Sequence, residues 1–116
     1  MATFKCRQIF YEKLMDNNRL LLVLEKTIKD INREVIKAEF KNLTIDSIRP
    51  SINLAARARA GYLKELFDVA SEFPDSLPPA ERIGKLREHR VRYEELISAS
   101  QALETAIQRN YLDVLP

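Results

Sequence analysis

The chain has 116 residues, with 19 basic and 17 acidic side chains for a net charge of +2, and 46% of its residues are apolar. That length supports one modest core and not two, the apolar fraction excludes a disordered chain, and a charge so near neutral excludes a histone-like polycation. Two glycines and five prolines in the whole sequence are too few for a turn-rich β architecture, which leaves an all-α chain.

The first predicted element lies between Phe4 and Lys41, where there is neither Gly nor Pro. Apolar residues recur there at Phe10, Leu14, Leu21, Leu24, Ile28, Ile31, Val35 and Ala38. With Leu14 as heptad position a they form one seam, interrupted by Asn17 at a d position. A continuous helix of about 38 residues measures about 57 Å, far longer than a compact domain of this size, whose radius of gyration is about 13 Å. The helix is therefore expected either to bend, at the poor helix formers Asn17 and Asn18, or to make the molecule elongated.

Asn42 to Arg49 reads as a turn, because Thr44, Asp46 and Ser47 offer capping oxygens and Pro50 suits a first helical turn. The second helix is expected from about Pro50 to Phe73, burying Ile52, Leu63, Leu66, Phe67, Ala70 and Phe73. The stretch Ala55 to Gly61 is built of small residues separated by Arg57 and Arg59, and small side chains let another backbone come close. Pro74, Pro78 and Pro79 interrupt the chain, and Pro79 with Glu81 opens a third helix that should reach about Tyr111 and bury Leu86, Tyr93, Leu96, Leu103 and Ile107. The expected fold is thus a single helical domain over residues 1–116, a three-helix bundle with a long first helix.

Chemistry is sparse. His89 is the only histidine and Cys6 the only cysteine, so neither a multi-histidine metal site nor an internal disulfide can form. Gly61 and Gly84 cannot make a phosphate-cradling loop. No metal, cofactor or catalytic group is expected, and the chain is read as no enzyme. The one spacing that suggests otherwise is Arg82 with His89, which resembles the loose Arg-to-His spacing of helical ribonucleases of the higher-eukaryote and prokaryote nucleotide-binding class, although Ile83 stands where that class has a polar residue. Glu25 with Lys29 and Glu88 with Arg92 are expected as ordinary helical ion pairs.

Charge layout is more informative than charge total. Arg19, Lys26 and Arg33 recur at heptad position f, opposite the seam, about 10 Å apart, which long side chains can match to a nucleic-acid backbone. Arg57 and Arg59 project from the second helix, with Arg59 near the middle of the apolar face expected there. On the third helix, residues 79–92 hold five cations against two acids, while residues 93–116 hold one cation against four acids. Arg82, Lys85, His89 and Arg92 form a ridge within about 80° of one another. Such a ridge suits phosphates, or the acidic end of a second copy.

A small helical chain with basic stripes and no catalytic motif resembles the small subunit of CRISPR effector complexes of the multisubunit type. The resemblance covers the whole chain in size, helicity and charge layout, and no diagnostic motif carries it. It implies a subunit that associates side by side with itself and with other protein subunits and holds the backbone of RNA or DNA without reading bases. Arg19, Lys26, Arg33, Arg57, Arg59, Arg82, Lys85 and Arg92 are the nucleic-acid-binding candidates on their own geometry. The rival expectation is a coiled-coil protein–protein adaptor that uses the first-helix seam and has no nucleic-acid role. No membrane association is expected, since the longest apolar run, Leu20 to Leu24, is five residues against the roughly 20 a span needs. With no signal-like opening and a single thiol, the expected location is cytoplasmic.

Overall fold

The computed structural model describes residues 2–116, with side chains described from residue 5 onward. It has the expected all-α, three-helix architecture: α1 spans Ala2–Glu39, α2 Ile45–Glu72 and α3 Ala80–Gln108. The molecule is elongated, with a radius of gyration of 24.3 Å and extents of 78 × 44 × 19 Å. Of the two alternatives for α1, elongation holds, and the helix runs unbroken through Asn17 and Asn18. It stops at Glu39, just before Asn42 takes a left-handed conformation at φ 60°, which an Asn tolerates better than most side chains.

α2 begins five residues earlier than the prolines suggest. Thr44 is its N-cap and forms a reciprocal capping box with Ser47: the Ser47 amide donates to Thr44 Oγ1 at 3.2 Å and the Thr44 amide donates to Ser47 Oγ at 3.1 Å. Two orphan donors are thereby satisfied. Pro50 consequently sits inside the helix rather than at its start, near enough to the N-terminus that its missing amide removes a single bond to Asp46.

α3 starts after Pro79, whose carbonyl accepts from the amides of Arg82 and Ile83 at 3.0 and 3.1 Å. It ends three residues sooner than expected, in a Schellman turn. Asn110 adopts φ 62°, the Tyr111 amide donates to the Ala106 carbonyl at 2.8 Å, and the Asn110 amide donates to the Ile107 carbonyl at 3.1 Å. This hydrogen-bond pair closes the helix and turns the chain back on itself.

α2 and α3 pack antiparallel as a hairpin, whereas α1 packs along neither. The α2 face turned towards α3 carries Ala55, Ala58, Tyr62, Glu65 and Val69, about 100° around the helix from the larger apolar residues expected there. Ile52 (59%), Leu63 (48%), Leu66 (48%) and Phe67 (70%) remain exposed. The small residues let the two backbones approach; a Cβ on Gly61 would meet His89 Nδ1 at 3.5 Å, an ordinary contact distance. On α3 the expectation holds better, with Leu86, Tyr93, Leu96 and Leu103 half-buried and Ile107 outside.

Apart from Val69 on the α2 face turned towards α3, the buried side chains among the described residues belong to the start of α2 and the tail that follows α3. Ile48, Tyr111 and Leu112 are buried there. The tail returns beside the α1–α2 connection as a single parallel bridge between Thr44 and Leu115. The Ile45 amide donates to the Leu115 carbonyl at 3.1 Å, and the Leu115 amide to the Leu43 carbonyl at 2.9 Å. This hub is what joins α1 to the hairpin.

Candidate interaction surfaces

The α1 seam is not part of any core. Phe10, Leu14, Leu21, Leu24, Ile28, Ile31 and Val35 retain between 44% and 64% of their surface in solvent. The seam is continuous over four heptads, and Asn17 is its polar interruption. Tyr111 borders it beside Ile28 and leaves the rest open. Such a patch exceeds the few scattered exposed apolar side chains of an ordinary monomer surface.

The basic candidates do not converge on one place, and they divide by what they touch. Arg19, Lys26, Arg57, Lys85 and Arg92 are exposed, and among the described residues none of these five is in an ion pair. Arg59 is also exposed, but its guanidinium reaches across the hairpin to lie 5.7 Å from the centre of the Tyr93 ring. That contact is a cation–π interaction.

Arg33 and Arg82 are committed inside the chain. The Arg33 guanidinium donates to the Asn110 carbonyl and, at 3.2 Å, to Asp113 Oδ2, which Lys37 Nζ also meets at 3.2 Å. The Lys37 hydrogen bond, followed by the charge of Arg33, holds the Asp113 carboxyl below its ordinary value of 3.8, with desolvation pushing the other way. The two α1 cations and the tail thus form a clasp at the hub. Beside it an open groove of about 800 Å³ is lined by Phe40, Leu43 and Leu115 together with the clasp residues.

Arg82 spans α2. Its Nη1 lies 2.7 Å from Glu65 Oε1 and its Nε 3.2 Å from Glu72 Oε2, and its Nη2 donates to Glu72 Oε1 at 3.3 Å. His89 Nε2 lies 3.9 Å from Glu65 Oε2. Glu65 and Arg82 side chains are only 12% and 17% exposed. Glu65 Oε1 and Arg82 Nε are buried without a well-directed hydrogen bond, so the contact is chiefly coulombic. Arg82 and His89 therefore do meet, as the spacing suggested, but around the Glu65 carboxylate rather than an open phosphate-sized space.

Glu65 and Asp113 are the side chains that sequence reasoning missed. Glu65 could have been found from its register, because Ala58, Tyr62, Glu65 and Val69 keep the spacing of a packing seam with an acid in it. Nothing periodic marks Asp113. The expected pairs Glu25–Lys29 and Glu88–Arg92 do not form; the short-range pairs present are Asp46–Arg49 at 3.6 Å and Arg90–Glu94 at 3.8 Å. Exposed pairs of this kind are weak enough for side-chain entropy to decide which ones form.

Among the described residues there is no cluster of three or more metal-binding side chains, and no helix is long and apolar enough to cross a membrane. No protein-family model, curated protein or solved structure matches the chain.

Proposed function

We propose that this chain is a non-catalytic helical subunit that docks into a larger assembly through the α1 seam. The observation that carries this reading is four heptads of apolar seam facing solvent on a helix that packs along neither of its neighbours. A helix gains most of its stability in a protein from packing its apolar face, so α1 requires a partner to be fully stable. The α2–α3 hairpin and the hub then serve as the base from which α1 projects. The exposed, unpaired Cys6 thiol suits a reducing compartment such as the cytoplasm.

Leu24→Asp and Ile31→Asp test the reading. Native mass spectrometry of the cellular form should place the parent chain in a complex and both variants outside it. A parent found alone, or variants that remain in the complex, would refute docking through the seam.

A second reading is favoured by five of the candidate cations, which are exposed and have no carboxylate partner among the described residues. In it the assembly is a nucleoprotein, as in the CRISPR small subunits the sequence resembles, and Arg19, Lys26, Arg57, Lys85 and Arg92 track a nucleic-acid backbone. Each lost phosphate contact should shallow the slope of log affinity against log salt by about 0.7 to 0.9. An assembled complex in which three of these are neutralised, yet which binds RNA and DNA with unchanged slope, would leave docking as the sole role.

A further inference from the structure

We infer that the partner of the α1 seam is a second copy of this chain, paired antiparallel along α1. The inference rests on the docking reading above and names its occupant. It begins from the width of the stripe. Leu14, Leu21, Ile28 and Val35 occupy a positions, and Phe10, Leu24, Ile31 and Ala38 occupy d positions; at the flanks Asn18, Glu25, Asn32 and Glu39 at e and Lys13, Thr27 and Glu34 at g are polar, with Tyr11 at e and Leu20 at g the exceptions. An a/d stripe flanked mostly by polar residues, widened only at Leu20 to Val23, is closer to the pattern of a two-stranded seam than to the broader face of a helix that joins a globular core.

The area is right for a pair. From their exposures, the seam side chains present roughly 750 Å² to solvent, close to the about 800 Å² per partner of a standard stable interface.

Orientation follows from charge and from where the hairpin is attached. In a parallel, in-register pair each g residue lies near the e residue five positions later on the other strand. That places Glu34 near Glu39 and brings no opposite charges together. In an antiparallel pair centred between Leu22 and Val23, Phe10 of one copy faces Val35 of the other, Leu14 faces Ile31, Asn17 faces Ile28, and Leu21 faces Leu24. Every seam residue from Phe10 to Val35 is then covered. Lys13 of each copy comes within about 3 Å along the axis of the other's Glu34, and the charges are opposite. The hub grips α1 at its C-terminal end, through Arg33 and Lys37, with Tyr111 beside Ile28. Antiparallel pairing sends the two hairpins to opposite ends, whereas parallel pairing would crowd them at one end.

Sedimentation equilibrium of the purified full chain, from micromolar to near-millimolar concentration, tests self-pairing. The expected species is a reversible dimer. Ile31→Asp should raise its dissociation constant about a hundredfold or more, because it sets a charge in the seam. Asp16→Lys, at a c position on the outer side, should leave the constant within about threefold. Oxidation tests orientation: the two native Cys6 thiols lie about 50 Å apart in the antiparallel pair and should not crosslink. In a Cys6→Ser background, Phe10→Cys mixed with Val35→Cys should crosslink, and neither should do so alone.

A parent chain that remains monomeric throughout, a higher oligomer, or a Cys6–Cys6 linked dimer overturns the inference. Monomer combined with loss of Ile31→Asp from the cellular complex would overturn self-pairing while docking stands. Monomer combined with retention of that variant would refute both.

Discussion

Replacing Arg82 with alanine should destabilise the α2–α3 hairpin by about 2 kcal/mol, between the values for exposed and buried ion pairs. The magnitude follows from what the substitution leaves behind. Glu65 is 12% exposed and sits 2.7 Å from Arg82, and without the guanidinium the nearest side chain that could face its carboxylate is the His89 imidazole, at 3.9 Å. Removing one member of a fully buried pair costs about 3–5 kcal/mol because the other charge is stranded, while an exposed pair contributes about 0–1 kcal/mol. Both side chains are less than a fifth exposed, so solvent screening reduces the buried figure only in part. Glu72, at 55% exposure, adds little. For a unit of this size about 2 kcal/mol corresponds to a fall of roughly 8–16 °C in Tm, read by far-ultraviolet circular dichroism as loss of the cooperative transition at lower temperature. Glu72→Gln should lower Tm by only a few degrees. Glu65→Leu combined with Arg82→Met should recover most of the loss, since the charge and its counter-charge are removed together. An Arg82→Ala protein that melts within a degree or two of its parent, or a double variant worse than the single, would refute this account of the contact.

Three further outcomes are expected. Gly61→Ala should stabilise the hairpin by about 0.5–1 kcal/mol in chemical denaturation, because the helix gains Ala propensity and the added methyl meets His89 only at ordinary contact distance, 3.5 Å; destabilisation would show that the helices pack more closely than described. Thr44→Ala removes the N-cap of α2 and should cost about 1 kcal/mol, visible in the same denaturation curves, with Thr44→Ser close to neutral. The clasp should depend on acid: Asp113 has a depressed carboxyl pKa, so its contribution is fully present above the ordinary value of 3.8 and is lost as pH falls through the lower folded value. The protection of the Ile45 and Leu115 amides against exchange, relative to the intrinsic rate at each pH, should fall in that acid window, and Asp113→Asn should lower it at neutral pH.

Much of the architecture is legible in the sequence because Gly and Pro punctuate it so sparingly. The proline cluster from Pro74 to Pro79 sets the α2–α3 connection, and the Gly- and Pro-free stretch sets α1. The start of α2 was obscured by Pro50, a residue that usually marks a helix's first turn but here yields to the reciprocal Thr44–Ser47 cap. The packing face of α2 was harder still. Hydrophobic size points to Ile52, Leu63 and Phe67, yet close approach of two backbones rewards Ala55, Ala58 and Gly61, and that run of small residues was the visible signal. The clasp was invisible, because Asn110 to Pro116 has no periodicity and its anchoring depends on residues about 80 positions away, as with Arg33 and Asp113. Of the eight basic candidates, the sequence could not separate Arg33 and Arg82, which hold the fold together, from the five that face solvent unpaired.

The attachment of α1 at one end makes it a lever. The part of α1 ahead of Arg33 gives an arm of about 47 Å, with the Arg33–Lys37–Asp113 clasp and the Thr44–Leu115 bridge forming the pivot. A rotation of about 10° at that pivot swings the far tip sideways through about 8 Å, most of a helix diameter. Aim is therefore set within a few residues of the hub, by two cations and one carboxylate. Loosening them would leave each helix intact while changing where the arm points.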